Sequence, residues 1–199
     1  MQETSILPSL MAREDFFERF LGGAPAALRL EVRPLRRHDA RGMTDTSILF
    51  VCLGNICRSP LAEAALRREV EARRLPAMVD SAGTSDWHVG RPPDPRACAI
   101  AREHGIDIGG YRGRQVAAAD FTRFDHILAL DLENLENLRA LAPADATARL
   151  SLLLDHVEGL EGEPVADPYF GEADGFILTW EQVTRAARSL ADRIESGTL

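Results

Sequence analysis

The 199-residue chain contains no lysine; all 23 of its basic residues are arginine. That absence excludes a Walker A phosphate loop, a Schiff-base enzyme and a pyridoxal-phosphate anchor, each of which needs a lysine ammonium. An arginine-only basic set reads as the mark of a GC-rich genome rather than of a physical demand. Long apolar runs are also missing. Nothing approaches the roughly eighteen consecutive apolar residues of a spanning helix, so no membrane association is expected. Cysteine is scarce: Cys52, Cys57 and Cys98 are too few for a disulfide-stapled secreted fold and point to a reducing, cytoplasmic setting. No H-x-x-x-H or H-E-x-x-H pattern supplies a second ligand pair, so no metal site is expected. The formal charge of −8 argues against a general nucleic-acid binder. What remains, 45% hydrophobic and 27% charged, is a globular composition sized for one domain with some excess.

The excess lies at the front. Residues 1–43 hold seven arginines against six acids and one amphipathic stretch, Ala12 to Leu21, followed by Gly22-Gly23 and an arginine-rich run through Arg33, Arg36, Arg37 and Arg41. The opening Met1-Gln2-Glu3 is not that of a secretory signal, and Glu3, Glu14, Asp15 and Glu18 are too acidic for a transit peptide. Residues 1–43 are therefore expected to be an extension, disordered or an upstream reading of a shorter chain starting at Met43. Residues 44–199 are expected to form the domain.

From Ser47 the pattern is regular. Ile48 to Val51 reads as a buried strand, and Ser59-Pro60 opens a helix to about Arg74 with serine at its N-cap. Ala77 to Ser81 reads as a strand, Pro95 to Glu103 as a helix stopped by Gly105, and His126 to Leu130 as a strand. Leu132 to Leu141, apolar at every third position, is a helix; Leu150 to Leu154 is a strand. Phe176 to Ile194 is a closing helix with Ile177, Val183, Ala187, Leu190 and Ile194 near one face. Strands alternating with helices predict an α/β fold whose parallel sheet is covered on both sides.

The string Val51-Cys52-Leu53-Gly54-Asn55-Ile56-Cys57-Arg58-Ser59-Pro60 joins the first strand to the first helix. Such a turn aims several backbone N–H groups at one point, where the helix dipole adds positive potential. That is an oxyanion cradle, and a cysteine at its start has its thiolate stabilised by the same field. Arg58 can curl over the loop and grip two phosphate oxygens in a fork. Gly54 and Asn55 are residue types that tolerate a left-handed backbone. Cys52 alone would read as an ordinary core cysteine. Seven specified residues in this order recur by chance in only about one in a billion windows.

This C-x5-R string resembles the low-molecular-weight protein tyrosine phosphatases. The resemblance continues through Asp80-Ser81-Ala82-Gly83-Thr84, Trp87, Gly90-Arg91-Pro92-Pro93-Asp94-Pro95-Arg96-Ala97, Arg114-Gln115, Asp120-Phe121 and Asp167-Pro168-Tyr169, covering about residues 46–196. It implies a three-layer sandwich around a four-stranded parallel sheet in the order 2-1-3-4. It further implies Cys52 as nucleophile, Arg58 as phosphate clamp, and Leu53, Gly54, Asn55, Ile56, Cys57, Arg58 and Ser59 as the phosphate loop. Asp167, which alone would read as a turn aspartate before Pro168, becomes the general acid and base. Trp87 and Tyr169 become aromatic walls for a phenyl ring. Ser59 would also donate to the thiolate, and Ser81 with Asn55 would hold the loop open. Tyr111 departs from the pattern, since the family often has histidine or serine there.

The implied activity is hydrolysis of phosphotyrosine in a protein substrate, without cofactor and by a monomer. A thioredoxin-coupled arsenate reductase on the same fold needs further cysteines in a later segment, and only Cys98 is left. A protein-arginine phosphatase has threonine at the position of Ile56. A dead phosphoprotein-binding module is argued against by the joint presence of Cys52, Arg58 and Asp167.

Overall fold

The structure, a computed structural model, describes residues 45–171 and 174–199. The expectations made for residues 1–43 fall outside the described residues.

Strand β1 (Thr46–Cys52) is followed by helix α1 (Arg58–Arg73), strand β2 (Ala77–Gly83) and helix α2 (Pro95–Glu103). A four-residue helix α3 (Asp120–Arg123) precedes β3 (His126–Ala129), α4 (Leu132–Leu141) and β4 (Arg149–Leu152). A 3-10 turn (Leu153–His156) and the long helix α5 (Asp174–Ser196) complete the chain. The four strands are all parallel and run in the order 2-1-3-4, as the resemblance implied.

β1 is apolar from Ile48 to Cys52 because both of its faces are covered there. Ile48, Phe50 and Cys52 face one core, with α1, α2 and α5; Leu49 and Val51 face the other, with Phe121, Phe124, Leu135 and Leu138. Period-two alternation thus sends Cys52 to the α1 side. β1 pairs with β2 on one side and β3 on the other, so the chain leaves its two flanks in opposite directions. Ligands of open parallel sheets bind at such a switch point, beyond the carboxyl ends of the strands. Here that point is Cys52.

Four details differ from the sequence reading. β4 stops at Leu152, and Leu153 and Leu154 enter the 3-10 turn instead. In α4, Leu135 and Leu138 are buried but Leu132 and Leu141 are half exposed. A spacing of three drifts about 60° per step around a 3.6-residue helix, which carries the end leucines off the buried face. In α5 the buried stripe starts at Phe176, Thr179 and Trp180, while Ile177 points outward. Finally, α1 begins at Arg58 with Cys57 at the N-cap, so Ser59 lies inside the first turn.

Candidate active site

The loop from Cys52 to Ser59 is built against the end of β2. Thr84 N donates to Cys52 O and Ser85 N to Leu53 O, both at 2.9 Å. Gly83 permits this approach: a Cβ there would lie 2.7 Å from Leu53 O. Of the two residues expected to need a left-handed backbone, only Asn55 has it, with φ 55°. Gly54 serves space instead, since a Cβ would meet the His88 ring at 2.9 Å.

Cys52 Sγ sits at the floor, buried, accepting from Asn55 N at 3.3 Å and lying 3.1 Å from Ser59 Oγ. Ser59 lies inside the first turn and does not cap the helix, and its oxygen is engaged elsewhere. It accepts from Asn55 Nδ2 at 2.9 Å and sits between Cys52 and Ala82 O. With no side chain capping α1, its first-turn N–H groups are available to an anion in the cradle. Asn55 Nδ2 also donates to Ser81 Oγ at 2.9 Å, which brings together the pair expected to brace the loop.

Arg58 is buried and its guanidinium spans the cleft. Nη2 lies 2.6 Å from Asp167 Oδ2 and Nη1 lies 2.6 Å from Asp131 Oδ2. Burial works against its charge, but Cys52, Asp167 and Asp131 offset that and push its pKa above the ordinary guanidinium value. It is a fixed cation at the edge of the cradle.

Cys52, Leu53, Gly54, Ile56, Cys57 and Arg58 line a cavity of about 150 Å³ together with Asp167, Trp87 and Tyr169. Trp87 is 71% exposed and Tyr169 is 42% exposed, far too open for core aromatics. The segment carrying Asp167 and Tyr169 is tied down by Arg96, whose Nη1 donates to Gly171 O at 2.9 Å and Nη2 to Tyr169 O at 3.1 Å. Arg96 is itself paired with Asp94, the N-cap of α2.

Four residues at or beside the site were not anticipated. His88 and the 97% exposed Phe170 line the cavity, and Asp131 holds Arg58. Glu63, buried on α1, accepts from Ser81 Oγ at 2.6 Å. The adjacency of Phe170 to Tyr169, and of His88 to Trp87, was the available hint. Tyr111 lies behind the loop, where it lines a separate cavity of about 430 Å³ with Asn55, Glu63 and Ser81. Among the described residues no cluster of histidine, cysteine and acidic side chains could hold a metal ion, and no helix is long and apolar enough to cross a membrane.

Comparison with known proteins gives the same frame. Residues 47–198 match the family model described as low molecular weight phosphotyrosine protein phosphatase. A Schizosaccharomyces pombe protein of that name is 43% identical over 132 residues, 65% of this chain and 84% of its own. The solved protein tyrosine phosphatase of Entamoeba histolytica superposes with a TM-score of 0.72 at 33% identity, covering 77% of this chain and 99% of that one. A solved Drosophila arginine phosphatase superposes with a TM-score of 0.70 at 36% identity, covering 74% and 96%. With the family pattern running from β1 to the end of α5, the chain belongs to the low molecular weight phosphotyrosine protein phosphatases.

Proposed function

We propose that the chain hydrolyses phosphotyrosine in proteins through a phosphocysteine intermediate. The observation that carries this reading is the placement of Cys52 Sγ beneath an uncapped helix start, held by Asn55 N and Ser59 Oγ and overlooked by Arg58.

The substrate phosphate enters the cradle, and its oxygens take the loop N–H groups and the Arg58 fork. Asp167 competes for the same guanidinium, so the phosphate displaces it from Nη2. Freed from Arg58 and set beside the dianionic phosphate, Asp167 takes up a proton from solvent. The Cys52 thiolate then forms an S–P bond as the ester P–O bond breaks, and the departing phenolate takes that proton from Asp167. Asp167, now ionised, removes a proton from water as that water attacks phosphorus and releases the thiolate. Ser59 donates to sulfur when sulfur carries the charge.

Trp87 and Tyr169 form walls between which a phenyl ring stacks. Phosphoserine is too short to reach Cys52 and fill that slot. Ile56 offers a guanidinium no polar partner, which disfavours phosphoarginine. The three free cysteines, one of them the nucleophile, suit a reducing, cytoplasmic setting. The activity is assigned to residues 44–199, acting as a monomer.

Steady-state assay with phosphotyrosine, phosphoserine and phosphoarginine peptides, and with arsenate, tests the reading. Phosphotyrosine should have the highest kcat/KM. The Cys52→Ser protein should be inactive yet bind phosphate, and substantial turnover by it would refute the mechanism. Comparable constants for phosphotyrosine and phosphoarginine would refute the substrate assignment.

A further inference from the structure

A carboxylate buried beneath the phosphate loop has no part in the chemistry above. Glu63 is 5% exposed and does not line the active-site cavity. Its two oxygens are both occupied: Oε2 accepts from Ser81 Oγ at 2.6 Å and Oε1 from Arg67 Nε at 2.7 Å. Burial pushes its pKa above the ordinary carboxylate value, with Asp80 adding to this and Ser81 and Arg67 opposing it.

The hydrogen bond from Ser81 to Glu63 has one allowed direction. A carboxylate only accepts, so the Ser81 hydroxyl hydrogen points at Glu63 and its lone pairs face Asn55. The two Asn55 amide hydrogens then go to Ser81 Oγ and Ser59 Oγ, each at 2.9 Å. Asn55 Oδ1 accepts from Arg114 N at 2.9 Å, which agrees with that orientation of the amide. Ser59, accepting from Asn55, has one hydrogen to give, and a thiolate at Cys52 Sγ, 3.1 Å away, draws it more strongly than the neutral Ala82 O at 3.3 Å.

We propose that Glu63 is a positioning residue for Cys52: it anchors Ser81, which holds the Asn55 amide that in turn holds Ser59 where it donates to the nucleophile. The proposal rests on Cys52 being that nucleophile. It has a sign that a through-space effect lacks. Removing a negative charge near a thiolate favours the thiolate by electrostatics alone. Removing the acceptor that orients Ser81 disfavours it, by loosening the donor at the far end.

In the Glu63→Gln variant the amide carbonyl is claimed by Arg67, which can only donate, leaving the NH₂ against Ser81 Oγ. The Ser81 hydrogen then loses its acceptor. Arg67, Glu71, Asp80, Tyr111 and Arg112 face the adjoining cavity with Glu63, which gives the isosteric change room. Tyr111 stays neutral, its phenol pushed up to about 12 by burial and by Glu63.

The test is the rate at which iodoacetamide alkylates Cys52 at about pH 6, read by mass spectrometry of its peptide, because the thiolate is the reacting form. Glu63→Gln should slow alkylation roughly three- to tenfold. Ser81→Ala should slow it too, and adding Glu63→Gln to Ser81→Ala should change nothing further. Unchanged or faster alkylation in Glu63→Gln overturns the proposal, as does a further slowing in the Ser81→Ala background. Normal alkylation in Ser81→Ala overturns it even where the Gln variant does not fold. Should wild-type Cys52 react no faster than Cys98, the nucleophile reading itself fails instead.

Discussion

The Asp131 carboxylate receives Asn134 N at 2.7 Å on one oxygen and Arg58 Nη1 at 2.6 Å on the other. One side chain therefore caps α4 and orients the phosphate clamp. Asp131→Asn keeps a capping oxygen but removes the charge that holds the guanidinium. We expect kcat/KM for a phosphotyrosine peptide to fall about tenfold, with stability changed by less than ~1 kcal/mol. Asp131→Ala should add the loss of the cap, about 1 kcal/mol by urea unfolding. Unimpaired kinetics in both variants would separate Asp131 from the clamp.

Asp167→Asn should hurt most where the leaving group most needs a proton. The loss should reach about 10²-fold or more with phenyl phosphate and be smaller with p-nitrophenyl phosphate. Equal losses across the series would remove Asp167 from the acid role.

Cys57 lines the same cavity as Cys52. Burial pushes its thiol pKa far up, with Asp94, Cys52 and Asp167 adding to the effect and Arg96 opposing it. Peroxide should oxidise Cys52 first to the sulfenic acid, after which Cys57 sulfur attacks it, the S–S bond forms and water leaves. Activity should return with dithiothreitol. Since only the thiolate attacks, disulfide closure should quicken steadily as pH rises. Irreversible sulfonic acid at Cys52 with Cys57 untouched would contradict this.

His156 accepts from Arg193 at Nδ1, since a guanidinium can only donate, so its Nε2 hydrogen faces Ser151 Oγ at 3.1 Å. Burial, Arg193 and His126 push its pKa down from 6.5 to about 4, against Asp155. The unfolded chain then takes up a proton that the folded one refuses. Stability should fall as pH drops from 6.5 toward about 4, and Tm across that window should decline less steeply in His156→Gln. Parallel curves for the two proteins would remove His156 as the cause.

A chain starting at Met43 should keep its kinetic constants and Tm. A large drop in either would show that residues 1–42 contribute to the domain.

The catalytic string was readable because Cys52, Arg58 and Ser59 lie in one continuous loop, and such a loop carries its geometry in its spacing. Asp131 and Glu63 were not, for a physical reason. Asp131 has the sequence profile of a helix cap, and it is one; its second task depends on Arg58 arriving from 73 residues away. Glu63, in a helix with alternating charged and apolar residues, looks like a solvent-facing acid until β2 and the loop close over it. A parallel sheet covered on both faces followed from pattern and its strand order from the family resemblance, whereas the end of β4 followed from neither. An apolar run such as Leu150 to Leu154 suits a strand or a turn of helix equally.

The contact between Gly83 and Leu53 O means that the cradle takes its shape from a neighbour. Its curl is drawn partly by β2, whose bare backbone presses against the loop and whose following residues, Thr84 and Ser85, hold it by two hydrogen bonds. The residues from Cys52 to Ser59 are thus an incomplete blueprint. Grafted onto another strand and helix without a glycine-ended strand alongside, they would carry the lettering of the site without its curvature. Conversely, Gly83→Ala should distort the cradle from outside, leaving every residue that touches phosphate unchanged.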